Sequence, residues 1–148
     1  IEDACLVLKS GYSGKCGLFD LSDGKQVIDF RYDDITLLGF NRALGKDGSR
    51  RYLLDTSTGD VIASLPPNIG AAHFNETPVT WIFRAKSYYG IIDEEGNILY
   101  EDAKDPLTGV TKFRHGFSGG QKDNKKWGIL KSDGTWLVHP TYDYIKLL

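Results

Sequence analysis

The chain has 148 residues, a formal charge of −2 from 18 basic and 20 acidic residues, 17 Gly, 5 Pro and no Met. A single domain over residues 1–148, with a core that needs no metal, is expected at this length. The charges are interspersed, which argues against nucleic acid as a partner, and no apolar run approaches the roughly 18 residues of a membrane span.

The first element in chain order is "ACLVLKSG" from Ala4, a short apolar strand running into a turn. A turn centred on Ser10-Gly11 sets residues whose numbers sum to 21 opposite one another, Cys5 with Cys16 among them. An opposed cross-strand pair meets disulfide distances, and such bonds persist outside the cytosol. Two buried thiols in a cytosolic core are the alternative. Together with the start at Ile1, the disulfide leads to the expectation of a periplasmic or secreted protein whose signal peptide has been removed.

"KCGLFDLSDGKQVI" from Lys15 follows: an apolar strand, a polar turn ending at Gly24, and a second strand. A third strand, "DDITLLG" from Asp33, and a fourth, "NRALGKDG" from Asn41, complete the set. The four roles then return as "RRYLLDTSTGDVI" from Arg50, "IGAAHFN" from Ile69 and "TWIFRAKS" from Thr80. They return again as "YYGIIDEEGNIL" from Tyr88, "LTGVTKF" from Leu107 and "FSGGQKDN" from Phe117, and finally as "KWGILKSDGTWLV" from Lys126 and "DYIKLL" from Asp143. The turn glycines Gly24, Gly59, Gly96 and Gly134 lie 35, 37 and 38 residues apart. Gly fits there because a tight hairpin turn demands positive φ.

The last copy lacks a fourth-role segment, and "ACLVLKSG" aligns with "NRALGKDG" well enough to supply it. Four roles in four copies predict about sixteen short antiparallel strands in four small sheets, and radial repetition is one way to protect their edges. The expected fold is therefore all-β, a compact four-bladed β-propeller-like repeat whose N-terminal strand completes the C-terminal repeat. An irregular barrel or sandwich of hairpins is the alternative.

The segments "KKWGILKSDGTWLVHPTYDYI", "SYYGIIDEEGNIL" and "GKCGLFDLSDGKQVIDFRYDDI" resemble the WG (KWG) repeat: Trp-Gly, a few apolar residues, a D-x-x-G turn, a strand, then Pro and Tyr-Asp. Only the fourth copy has Trp127-Gly128 and the His139-to-Asp143 tail in good form; Cys16-Gly17, Arg51-Tyr52 and Tyr89-Gly90 stand in its place elsewhere. The resemblance implies a bacterial binding or interaction scaffold and no particular reaction. A weaker resemblance, resting on size, export and fold type, is to periplasmic immunity proteins of secreted peptidoglycan hydrolases.

Gly116-Phe117-Ser118-Gly119-Gly120 is a literal G-x-S-x-G, and Ser118, Asp133 and His139 follow a known hydrolase order. The alignment, however, puts Ser118 in a fourth-role strand level with Cys5, Arg42 and Trp81, with no helix after Gly120 to make a nucleophile elbow. Gly119 and Gly120 then mark a bulge or a close backbone approach, read here as the approach of a partner. His73, His115 and His139 lie in different repeats, and the acidic pairs fit no D-x-D-x-D-G loop. No catalytic residue, metal or cofactor is expected.

Tyr52, Tyr89 and Trp127 are expected to be buried against neighbouring sheets, whereas Trp81, Trp136, Tyr12 and Tyr88 are freer to be exposed. The tips "KSGYSGK", "GKDGSRR", "RAKSYY" and "QKDNKK" mix Lys, Ser, Gly and Tyr, as binding loops do. The leading expectation is a non-catalytic protein-binding protein, monomeric when free: an inhibitor or immunity protein that blocks the active site of a secreted bacterial hydrolase. Its contact residues would be Ser13, Lys46, Asp47, Ser49, Lys86, Ser87, Tyr88, Phe117, Ser118, Lys122 and Asn124. A cell-envelope carbohydrate-binding module and a serine hydrolase are the alternatives.

Overall fold

A computed structural model describes residues 5–75, 77–85 and 87–146. It divides into two compact units, Ile1–Ile69 and Gly70–Leu148. In the first, β1 (Cys5–Lys9), β2 (Cys16–Asp20) and β3 (Gln26–Tyr32) form a three-stranded antiparallel sheet in that order. β4 (Asp34–Gly39), β5 (Arg42–Asp47), β6 (Arg50–Asp55) and β7 (Val61–Leu65) form a four-stranded meander.

The second unit repeats the plan. β8 (Gly70–Ala71), β9 (Val79–Arg84), β10 (Ser87–Asp93) and β11 (Ile98–Glu101) make one sheet. β12 (Gly109–Val110), β13 (Phe117–Gln121), β14 (Trp127–Lys131) and β15 (Trp136–Tyr142) make the other. The expected all-β fold of small antiparallel sheets is thus observed, and each sheet takes its strands from the end of one repeat and the start of the next. The N-terminal strand β1 pairs with β2, in a fourth-role position ahead of the first copy. The third-role strand expected at "DYIKLL" does not form within residues 143–146, so fifteen strands are seen among the described residues; Leu147 and Leu148 lie outside them.

The repeat motif has a physical basis at its glycine. A Cβ on Gly17 would come 2.7 Å from Ile28 O, and one on Gly128 would collide with Val138 O. At both places the register between the first- and second-role strands slips by a bulge, between Cys16 and Leu18 and between Trp127 and Ile129. Only a residue without Cβ admits that carbonyl. In the second copy Tyr52 replaces the glycine, and pairing runs evenly from Arg51 to Leu53.

The four turn glycines all take positive φ, from 74° at Gly24 to 84° at Gly134. The aspartates beside them hold the turns from within. Asp20 Oδ1 accepts the Ser22 amide and hydroxyl at 2.8 and 2.7 Å, and Asp55 Oδ1 does the same for Ser57. The Ser22 bonds hold the Asp20 carboxyl below the usual carboxylate range. Burial pushes Asp55 the other way, but its bonds to Ser57 and Thr58 outweigh that and leave it lowered too.

Each unit has its own core. Leu18, Ile28, Ile35, Ala43 and Leu54 join the two sheets of the first, with Tyr52 half-buried against them. Trp81, Ile91, Leu107, Phe113 and Leu130 do so in the second. Burying one such side chain contributes about 1.5–3 kcal/mol.

The Cys5–Cys16 disulfide is not formed. The β1–β2 register pairs Cys5 with Asp20 and Lys9 with Cys16, so the partners sum to 25 rather than 21. The reason lies in the turn. Ser10 Oγ accepts the amides of Tyr12 and Ser13, Ser13 Oγ accepts that of Lys15, and Gly14 rather than Gly11 takes positive φ. The loop is therefore longer than a tight turn on Ser10-Gly11, and the two cysteines stand four residues out of register, about 13 Å along the strands and beyond disulfide reach. Cys16 is instead a buried thiol that donates to Asp33 O at 3.7 Å.

Candidate functional site

Ser118 sits on β13 with no accessible surface. Its hydroxyl accepts the Trp81 Nε1–H at 2.9 Å, and its own proton is shared between Thr111 O at 2.8 Å and Gly119 O at 2.9 Å. A hydroxyl so enclosed offers neither a nucleophile nor a partner contact, which corrects its place among the binding residues. The glycines beside it are explained by the chain's own side chains. A Cβ on Gly119 would collide with Ile145, and one on Gly120 with Leu130.

Trp81 is likewise interior, 1% exposed, stacked on Phe113 with ring centroids 5.6 Å apart and meeting Tyr100 edge-on at 6.5 Å. Trp136 and Tyr88 are half-buried against the same cluster. Trp81 is thus not exposed, in contrast to the expectation for it. Of the expected exposed aromatics, Tyr12 stands fully in solvent.

The remaining predicted contacts divide by position along the strands. Ser13 is exposed in the β1–β2 tip; Asp47 and Ser49 are exposed at the β5–β6 tip, with Lys46 half-buried and 3.8 Å from Asp34. Ser87 is exposed where β10 begins, Tyr88 follows it, and Lys86 lies outside the described residues. Asn124 and half-buried Lys122 form the β13–β14 tip, where Asn124 Oδ1 accepts the Lys126 amide at 2.9 Å. Phe117 pairs with Lys131 and Ser118 with Leu130, at the end of β13 away from that tip. These two do not join the others, because the strand runs its full length between them and the loop.

In the first unit an aspartate links the two tips. Asp33 accepts the Gly48 amide of the β5–β6 tip at 2.7 Å and bonds the Lys15 ammonium beside the β1–β2 tip. The Gly48 amide first, then Lys15, lowers the Asp33 pKa, and the same bond to Asp33 raises that of Lys15. In the second unit Asp105 accepts the Lys122 ammonium at 2.7 Å, and Lys126 bonds Asp143. The loop bearing Asp105 is tied to β10 at both ends: the Asp102 amide donates to Tyr89 O at 2.7 Å, and Tyr88 and Leu107 exchange two backbone bonds of 2.9 and 2.8 Å.

A cavity of about 180 Å³ lies beside that loop, lined by Arg84, Ser87, Tyr89, Ala103 and Pro106. One signal of it lies in the sequence. The third copy carries Tyr89 where the best copy has Trp127, which puts a hydroxyl at a position that burial would favour as apolar. Tyr89 is 4% exposed, and that hydroxyl has no hydrogen-bond partner among the described residues. Among the described residues no three His, Cys, Asp or Glu side chains converge to hold a metal ion.

Comparison with known proteins agrees with the repeat and the fold. Residues 127–147 match the family model of the WG containing repeat. No curated protein gives a significant match. Among solved structures, the computationally designed Ika8 protein is similar at 12% identity and TM-score 0.56, over 96% of this chain and 49% of that one. BamB from Moraxella catarrhalis is similar at 17% and 0.50, over 90% and 39%. Kluyveromyces lactis Hsv2p is similar at 13% and 0.53, over 91% and 47%. The chain thus spans half or less of these three structures, and at such identities the likeness shows the fold alone: all-β and propeller-like.

Proposed function

We propose that this chain is a non-catalytic protein-binding domain whose hairpin tips contact the partner. The observation that carries this reading is the joining of the two tips of the first unit through Asp33. Loops fixed in this way lose little conformational freedom on binding, which favours affinity. Tyr12, fully exposed at one tip, is the kind of rigid aromatic that anchors interfaces.

The narrower form of the proposal is an inhibitor that covers the active site of a secreted bacterial hydrolase, with Tyr12, Ser13, Asp47 and Ser49 of the first unit in contact. The burial of Ser118 moves that contact from the G-x-S-x-G segment to the tips. Support for an exported location no longer includes a cystine in the β1–β2 hairpin. The carbohydrate-binding reading loses its main support with Trp81 in the core. Affinity capture from the source organism with the wild type and with a Tyr12→Ala, Asp47→Ala, Ser49→Ala variant tests the proposal. One protein retained by the wild type and lost by the equally stable variant is expected, and inhibition of that protein's hydrolytic activity supports the narrower form. Retention of glycans alone, or of the same protein by both, would sink it.

A further inference from the structure

The repeat leaves an apolar sheet face exposed in the first unit. There β1 ends its sheet, whereas the other fourth-role strands β5, β9 and β13 each stand between two neighbours. The register sets Leu6 and Leu8 of β1 level with Ala43 and Gly45 of β5. Ala43 and Gly45 are buried, but Leu6 and Leu8 are 45% and 43% exposed. Leu6 lies opposite Phe19, whose ring is 5.9 Å from that of exposed Phe30. By strand alternation these four side chains share the face turned away from Cys16, Leu18 and Ile28 in the core.

The β12–β15 sheet of the second unit exposes the opposite kind of face. Its pairs Trp127–Tyr142 and Ile129–Val138 repeat Cys16–Tyr32 and Leu18–Ile28 of the β1–β3 sheet. In the first unit the β4–β7 sheet covers that face with Ile35, Ala43 and Leu54, and Tyr32 is 3% exposed. In the β12–β15 sheet Trp127, Ile129 and Val138 are half-buried and Tyr142 is 55% exposed. The chain also leaves the two sheets alike, for Lys126 bonds Asp143 as Lys15 bonds Asp33. After Asp33 comes β4, which pairs with β5. After Asp143, "DYIKLL" keeps the Asp, Ile and two Leu of "DDITLL", yet residues 143–146 form no strand.

We propose that the β12–β15 sheet of one copy docks on the β1–β3 sheet of a second copy, with the segment from Asp143 pairing along the edge of β1. The contact repeats the one between the two sheets of the first unit. There Tyr32 packs over Gly45, whose cross-strand partner is Tyr52. On β1 the bulk is exchanged: Leu8 is the larger residue and Gly17 lies opposite it, which leaves room for Tyr142 of the other copy. Each chain carries both faces, so two copies make the contact twice. The lengths agree, since the chain spans 49% of the propeller-like Ika8 protein. A dimer thus takes the place of the free monomer expected from the sequence. The inference stands apart from the tip-binding proposal, because it uses sheet faces and leaves the tips out.

The test is analytical sedimentation of the whole chain from micromolar to submillimolar concentration. A reversible species of twice the chain mass is expected. Leu8→Lys and Tyr142→Glu, both at exposed positions, should each weaken it roughly tenfold or more while the cooperative melting transition is kept. Tyr12→Ala, at a tip, should leave it unchanged. The two sheet substitutions combined in one chain should lose less than the product of their separate losses, because the new charges are opposite and meet only if these faces pair. A monomer at every concentration, an assembly larger than a dimer, an affinity unchanged by either sheet variant, or strictly additive losses overturns the proposal.

Discussion

At the scale of single residues, the structure turns on a hydrogen bond between repeats: Trp81 Nε1 to Ser118 Oγ, spanning 37 positions. Removing the hydroxyl leaves a buried indole N–H without its acceptor, which costs about 1–3 kcal/mol. Ser118→Ala should therefore lower the melting temperature by several degrees, while an active-site fluorophosphonate probe labels neither protein; labelling of the wild type that is lost in the variant would contradict the account. Tyr89 gives the opposite sign. Tyr89→Phe should hold or raise the melting temperature, by up to about 1 kcal/mol in stability, because it removes a buried hydroxyl with no partner among the described residues. Neither fate was legible from local sequence. Strand alternation identifies which residues share a face, but the partner that covers Ser118 comes from another repeat, and the sequence offers no distance between the two.

At the scale of elements, turn chemistry was legible where one residue dictates it and illegible where several compete. Gly24, Gly59, Gly96 and Gly134 were found correctly because Gly takes their positive φ at the least steric cost. The β1–β2 turn was misread because Gly11 and Gly14 both qualify, and the choice falls to the Ser10 and Ser13 hydroxyls. Thiol labelling of the denatured, unreduced protein should count two reactive cysteines, and reductant should leave its melting curve unchanged; a single disulfide by mass would contradict the register. Gly128→Ala should destabilise by about 1–3 kcal/mol, since the new methyl meets Val138 O in the bulge. The Asp33 bridge adds a pH dependence. Its folded pKa is depressed, so its contribution is present above the ordinary carboxylate value near about pH 4 and is lost as pH falls through the lower folded value. The melting-temperature gap between wild type and Asp33→Asn should be full at pH 7 and close as the pH drops below that range; a gap that grows in acid would contradict the bridge.

At the scale of the whole molecule, the repeat was the legible signal and the placement of its parts was not. A period of 35 to 38 residues fixed the number of hairpins and the all-β, propeller-like class. It did not reveal that each sheet straddles a repeat boundary, which follows from which strands hydrogen-bond rather than from which are contiguous. It also placed Phe117 and Ser118 with the tips, although β13 carries them to the far end of the strand.

The functional proposal rests on the tips as the contact surface, and site-specific photocrosslinking in extract of the source organism tests that most directly. A benzoylphenylalanine in place of Tyr12 should give a covalent adduct with one protein, and the same probe in place of exposed Leu137 on β15 should give none. Equal adducts from both positions, or none from Tyr12 when the partner is captured by the wild type, would contradict the account.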